Sequence, residues 1–275
     1  MRYLQIITVI VLLFSLVFAG WANSRYYSSL NTDYPTITSD TELLEVFVGD
    51  GAEALFNGLS AKDATDGDLT DQIMIASISH FLEPGTVSVK YVVFDSHNNS
   101  TTLTRKVHYV DYTPPVFSLK KAPIYTVGSS FDLIDYVKVT DCIDGDISDN
   151  IRVISNSVNS FSAGTFPIVL EVSNSCGDTA QITIRVTYQD KESTASVNLR
   201  QYIVYIEQGE EFDPQQYLAS VTDKQTSVTL SPKSVRVQGS INTNKPGCYQ
   251  LTYRYDDDRL TGQSPLTVVV TERQG

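Results

Sequence analysis

Two stretches of the chain concentrate oxygen-bearing side chains at a spacing that could hold a hard cation. Residues 63–73 read DATDGDLTDQI and residues 141–151 read DCIDGDISDNI. Calcium takes about six to eight oxygens, many of them from carboxylates of a single loop. Asp63, Asp66 and Asp68, joined by Asp95, therefore form one candidate metal-ligating set, and Asp141, Asp144 and Asp146 form another. The spacing is not that of an EF-hand loop. The same residues have a second reading, in which Asp-Gly and its neighbouring aspartates shape a tight turn through side-chain-to-backbone hydrogen bonds. The sequence leaves both readings open, with calcium the one cofactor in view.

Other chemistry finds little support. The three histidines, His80, His97 and His108, form no H-x-x-x-H pair, and no C-x-x-C, G-x-S-x-G or phosphate-binding glycine loop occurs. No catalytic residue is assigned, and the expectation is a protein that is not an enzyme. A net charge of −12 repels nucleic acid and anionic lipid headgroups, so no nucleic-acid partner is expected.

The acidic stretches are parts of a longer repeat, and internal periodicity decides the fold. Asp63 and Asp141 lie 78 positions apart. After each comes a turn and a strand: PGTVSVKYVV at 84–93, AGTFPIVLEV at 163–172, and a third copy, PGCYQLTYRY, at 246–255. A closing strand follows in each copy, LTRKVHYVD at 103–111, ITIRVTYQD at 182–190 and LTVVVTE at 266–272. Val87, Val89, Tyr91 and Val93 share one strand face, as do Phe166, Ile168, Leu170 and Val172, and Tyr249, Leu251, Tyr253 and Tyr255. Period-two alternation of this length predicts half-buried strands, and units of this size predict small β-sandwiches, each with its own core. His108 aligns with Thr187 and Thr271 and is expected to face outward.

These residues resemble the bacterial immunoglobulin-like repeats of Gram-positive surface proteins and some pesticidal crystal proteins. The first unit matches that pattern at Ala61, Asp63, Asp66, Gly67, Asp68, Leu69, Thr70, Pro84, Gly85, Tyr91 and Asp95. The second matches at Asp141, Asp144, Gly145, Asp146 and Gly164, and departs with Asn174 in place of Asp95. The third keeps Thr222, Asp223, Pro246 and Gly247 and lacks the D-G-D stretch. The resemblance implies an all-β fold of three tandem immunoglobulin-like β-sandwich domains. Such repeats serve as stalks, spacers and adhesive modules alike.

Ahead of them, Leu4 to Ala22 carry no charge. As a helix of about 28 Å they would nearly span a bilayer's hydrocarbon. Arg2 precedes the segment and Trp21, Tyr26 and Tyr27 follow it, which favours a membrane helix with its N-terminus inside. Small residues at Ala19 and Ala22 also suit a cleaved signal peptide. The predicted organisation is a signal-anchor or signal peptide over 1–24, a stalk over 25–37, and repeats over 38–112, 113–190 and 191–275, the last degenerate. The membrane is a partner through the N-terminal helix. The protein is expected at the cell membrane with its C-terminal domains outside, or else secreted. Its expected role is that of a spacer or scaffold. The alternative is an adhesive module that binds an unknown polysaccharide or protein through the distal repeat. Export permits a disulfide. Cys142 and Cys176 sit in turns that cluster at one end of an immunoglobulin-like unit and are expected to pair, leaving Cys248 a free thiol.

Overall fold

The structure is a computed structural model that describes residues 12–23 and 33–273. Residues 12–23 are helical, and no helix among the described residues is long and apolar enough to cross a membrane. The hydrophobic segment read from the sequence begins at Leu4, and its first part lies outside the described residues, as does most of the stalk.

Among the described residues from Thr36 onward, the regular elements are strands and short 3-10 helices. The first repeat holds β1 (Thr36–Ser39), β2 (Leu43–Val46), β3 (Leu59–Asp63), β4 (Gly67–Asp68), β5 (Met74–Ile78), β6 (Thr86–Phe94) and β7 (Ser100–Tyr109). One sheet runs β1-β3-β4 and the other β2-β7-β6-β5, with β2 parallel to β7. The second repeat holds β8 (Val116–Leu119), β9 (Ile124–Thr126), β10 (Val137–Asp141), β11 (Gly145–Asp146), β12 (Arg152–Asn156), β13 (Gly164–Ser173) and β14 (Thr179–Gln189). Its sheets, β8-β10-β11 and β9-β14-β13-β12, repeat that topology, again with a parallel pair, β9 on β14. The third holds β15 (Ala195–Leu199), β16 (Ile203–Glu207), β17 (Leu218–Asp223), β18 (Val235–Gln238), β19 (Gly247–Asp256) and β20 (Thr261–Thr271). They form β15-β17 and β16-β20-β19-β18, with β16 parallel to β20. The fold is three tandem immunoglobulin-like sandwiches.

The cores lie where the alternation put them. Val87, Val89, Tyr91 and Val93 of β6 are fully buried, and Ile168, Leu170 and Val172 of β13 and Leu251, Tyr253 and Tyr255 of β19 occupy the matching face. Extended backbone sends every second side chain inward, so one apolar row per strand suffices to line a sandwich. Phe166 and Tyr249, at the start of their rows, are only partly buried.

Two details depart from the sequence reading. Cys248 stands where Thr86 and Thr165 do, and its cross-strand partner is Val269, whereas Thr86 faces His108 and Thr165 faces Thr187. Val269, not Thr271, is therefore the counterpart of His108. His108 itself is half-buried, its Nδ1 2.9 Å from Thr86 Oγ1. The second departure concerns the cores. The chain divides into two compact units, one with the first repeat up to Tyr109, apart from Glu83–Gly85, and one that contains both later repeats. Within the latter, Ile203 of β16 is buried in the second repeat's core, with Tyr202, Tyr205, Cys248 and Val269 packed against it. Tyr205 Oη accepts a hydrogen bond from Phe117 N at 3.0 Å. One apolar face of the third repeat thus completes its neighbour, because β16 carries bulky residues in succession, Ile203 and Val204 both being buried.

Candidate functional site at the acidic end of each sandwich

The acidic residues gather where β3, β10 and β17 leave their sheets. In each repeat the strand's last aspartate turns back onto the loop it begins. Asp63 Oδ1 accepts from Thr65 N and Asp66 N at 2.8 and 2.9 Å. Asp141 Oδ1 accepts from Ile143 N and Asp144 N, both at 2.9 Å. Asp223 Oδ1 accepts from Gln225 N at 2.8 Å and Thr226 N at 3.4 Å. A short carboxylate satisfies backbone N–H groups that no sheet partner can reach, which is why aspartate stands here.

The other acids have similar tasks. Asp68 Oδ1 holds both N and Oγ1 of Thr70, and Asp146 Oδ1 holds both N and Oγ of Ser148. Each fastens the start of a 3-10 turn. Asp66 Oδ2 accepts from Ser96 N at 2.7 Å, and Asp144 Oδ2 from Ser175 N at 2.6 Å, so the acidic loop is tied to the turn that follows β6 or β13. Asp95 in the first of these turns accepts from His97 N, Asn99 N and Asn99 Nδ2. The turn-shaping interpretation accounts for most of these contacts. Among the described residues, no group of three or more His, Cys, Asp or Glu is arranged to hold a metal ion.

Hydrogen bonds to the charged form depress carboxyl pKa values. Thr70 does so for Asp68, Ser148 and then Lys138 for Asp146, Thr226 for Asp223, and Leu260 N with Tyr255 for Asp257. Burial would raise the pKa of Asp95, but its donors from Asn99 and His97 outweigh it and hold the group low. Groups depressed on folding add stability above their unfolded pKa, about 4, and lose it as pH falls further. The melting temperature should therefore stay level from about pH 5 to 8 and drop progressively below about pH 4. Circular dichroism melts across that range check this, and an unchanged melting temperature at pH 3 would refute it.

In the structure Cys142, Cys176 and Cys248 are thiols, with no bond joining the pair expected to bridge. The Cys142 sulfur is engaged by the chain entering the repeat, donating to Thr113 O at 3.1 Å and accepting from Thr113 N at 3.4 Å. Cys248 donates to Thr183 O at 3.0 Å, and burial raises its pKa. Thiolate is the reacting form, so alkylation of the native, unreduced protein should label three thiols, Cys248 more slowly than Cys142. Peptide mass spectrometry reads this out, and a linked 142–176 peptide would overturn it.

Residues 200–268 match the family model of the bacterial surface protein, Ig-like domain. The match falls within the third repeat. This is the unit that lacks the D-G-D stretch. The chain is 28% identical over 158 residues to pesticidal crystal protein Cry22Aa of Bacillus thuringiensis, covering 53% of this chain and 20% of that one. It is 24% identical over 237 residues to an uncharacterised 81.3 kDa protein of Acholeplasma phage L2, covering 80% of this chain and 31% of the other. The chain thus spans less than a third of the length of these relatives. Among solved structures, the three-domain N-cadherin fragment EC1–3 from Drosophila is 12% identical with a TM-score of 0.30, covering 85% of this chain and 98% of that one.

The sequence reading missed Arg105. It points into the first core at 3% exposure, at the position that Ile184 fills in the second repeat. Its Nη1 donates to Asn57 O and Ser39 Oγ at 2.7 and 3.1 Å, and its Nη2 to Leu55 O and Tyr91 Oη at 2.8 and 3.4 Å. The inward parity of residue 105 on β7 was the available signal.

Proposed function

We propose that the chain is a non-catalytic protein tethered to the cell membrane by its N-terminal segment, with the Ig-like repeats outside the cell as a spacer or scaffold. One observation carries the choice of spacer over adhesin. The third repeat presents almost no large hydrophobic side chain to solvent: Val228 is exposed, while Tyr202, Tyr205, Phe212, Tyr217 and Tyr249 are each at least partly buried. Adhesive surfaces draw on exposed aromatic anchors, and here the aromatics pack against the cores. The acidic side chains, tied to their own backbone, leave few polar groups to converge on a substrate.

Protease shaving of intact cells with N-terminal sequencing of the retained material tests the tether. Repeats released by protease from a membrane-retained N-terminus support it. A mature protein that begins near Gly20 or Asn23 overturns it in favour of secretion. A groove of about 370 Å³ between the second and third repeats, lined by Lys120, Tyr125, Asn198, Tyr202 and Gln263, favours the adhesive alternative. A screen of the protein against cell-wall and host glycans tests that reading, and binding that is lost on Tyr202→Ala would displace the spacer role.

A further inference from the structure

The second repeat closes its acidic end with neutral donors. Asn174 Nδ2 donates to Asp141 Oδ2 at 3.2 Å and to Tyr112 Oη at 3.1 Å, and Tyr112 in turn donates to Asp178 Oδ2 at 2.5 Å. The first repeat exchanges the residue types. Asp95 stands where Asn174 does, and Asn99 where Asp178 does, with the same turn bonds: Asn99 N to Asp95 Oδ1 and Asp178 N to Asn174 Oδ1. The acidic loops are tied to these turns alike, through Asp66 on Ser96 and Asp144 on Ser175. By this correspondence Asp63 Oδ2 takes the position of Asp141 Oδ2, and Asp95 that of the Asn174 amide that Asp141 accepts from. Asp63 Oδ2 is buried and has no hydrogen-bond partner, and Asp63 and Asp95 are 7% and 6% exposed.

A buried carboxylate oxygen without a donor, with a second buried carboxylate where the other repeat has an amide, is costly in the absence of a positive charge. Asp95 cannot supply a proton cheaply, since both its oxygens already accept hydrogen bonds that favour its charged form. We propose that the first repeat binds one divalent calcium ion between Asp63 and Asp95, and that the second repeat does not, because the Asn174 amide already occupies the corresponding place. Calcium fits better than magnesium. It accepts irregular shells that mix carboxylate, main-chain carbonyl and water, whereas magnesium demands a near-ideal octahedron. With only two carboxylates the affinity belongs to the class of extracellular modules, about 10⁻⁴ to 10⁻³ M.

The test uses the detergent-solubilised full chain after chelation, titrated calorimetrically with calcium chloride and followed by thermal unfolding. Wild type should take up one calcium per chain, and calcium at about ten times Kd should multiply the folded-to-unfolded ratio of the first repeat about elevenfold. Asp95→Asn installs the second repeat's amide. It should abolish the calcium response while it keeps the melting temperature of the calcium-free protein or raises it. Absence of heat and of any thermal shift in wild type up to tens of millimolar overturns the proposal. So does an Asp95→Asn variant that binds as wild type does, or carboxyl NMR in which Asp63 titrates near neutral pH with calcium without effect.

Discussion

Replacing Arg105 with methionine lowers the stability of the first repeat by about 3–5 kcal/mol. That is about the sum of two hydrogen bonds from a charged donor, here to Leu55 O and Asn57 O, at about 1.5–3 kcal/mol each. The guanidinium is the cross-tie between β7 and the irregular segment 52–58, which has no sheet partner of its own. Its donors satisfy Leu55 O and Asn57 O, and it also reaches Ser39 Oγ on β1. It lies over the Tyr91 ring at 5.4 Å, a favourable placement for a desolvated cation. Methionine fills much of the volume but donates nothing. Asn57 O and Ser39 Oγ then lose their donor, while Leu55 O keeps only the Tyr91 hydroxyl at 2.5 Å. Arg105→Lys should recover part of the loss, since one ammonium keeps the charge but cannot span the same acceptors. Urea unfolding of the full chain, followed through the first repeat's transition, reads both. A methionine variant within 1 kcal/mol of wild type would show that the clamp contributes little.

Replacing Asp141 with alanine destabilises the second repeat by about 2–4 kcal/mol, from loss of hydrogen bonds made by a charged acceptor and orphaning of their donors. Asp141 is 2% exposed. Ile143 N, Asp144 N and Asn174 Nδ2 all donate to it. Asp141→Asn keeps one acceptor oxygen for the loop but sets an amide against the Asn174 amide, so its cost should fall between wild type and alanine. Differential denaturation of the three proteins gives the order, and an asparagine variant less stable than alanine would contradict the hydrogen-bond account.

Both sites bear on how far the residues alone reveal the molecule. The inward rows on β6, β13 and β19 are legible because a two-residue period survives any drift in loop length. The acidic loops are legible as a repeat for the same reason, and the Asn174 substitution marks where the second loop differs. The burial of Arg105 was not anticipated, since a charged residue on a core face contradicts the pattern and is rescued only by carbonyls some 50 positions away. Nor could spacing reveal that β16 lends Ile203 to its neighbour. That depends on how two surfaces meet, and periodicity describes only one surface at a time. The third repeat's counterpart of His108 was misplaced by two residues, Thr271 for Val269, because that repeat's hairpin is cut differently, and a shift of two keeps the same face.

The parallel pairing in each sandwich has a mechanical consequence. An early strand of each repeat lies alongside its last strand: β2 on β7, β9 on β14 and β16 on β20. Tension applied through the chain pulls such neighbours past each other, so their cross-bonds are loaded together instead of parting one at a time like a zipper. The paired stretch is four residues long in the first repeat, three in the second and five in the third. Stretched from its ends, the chain should rip in order of clamp length, the second repeat yielding at the lowest force and the third at the highest.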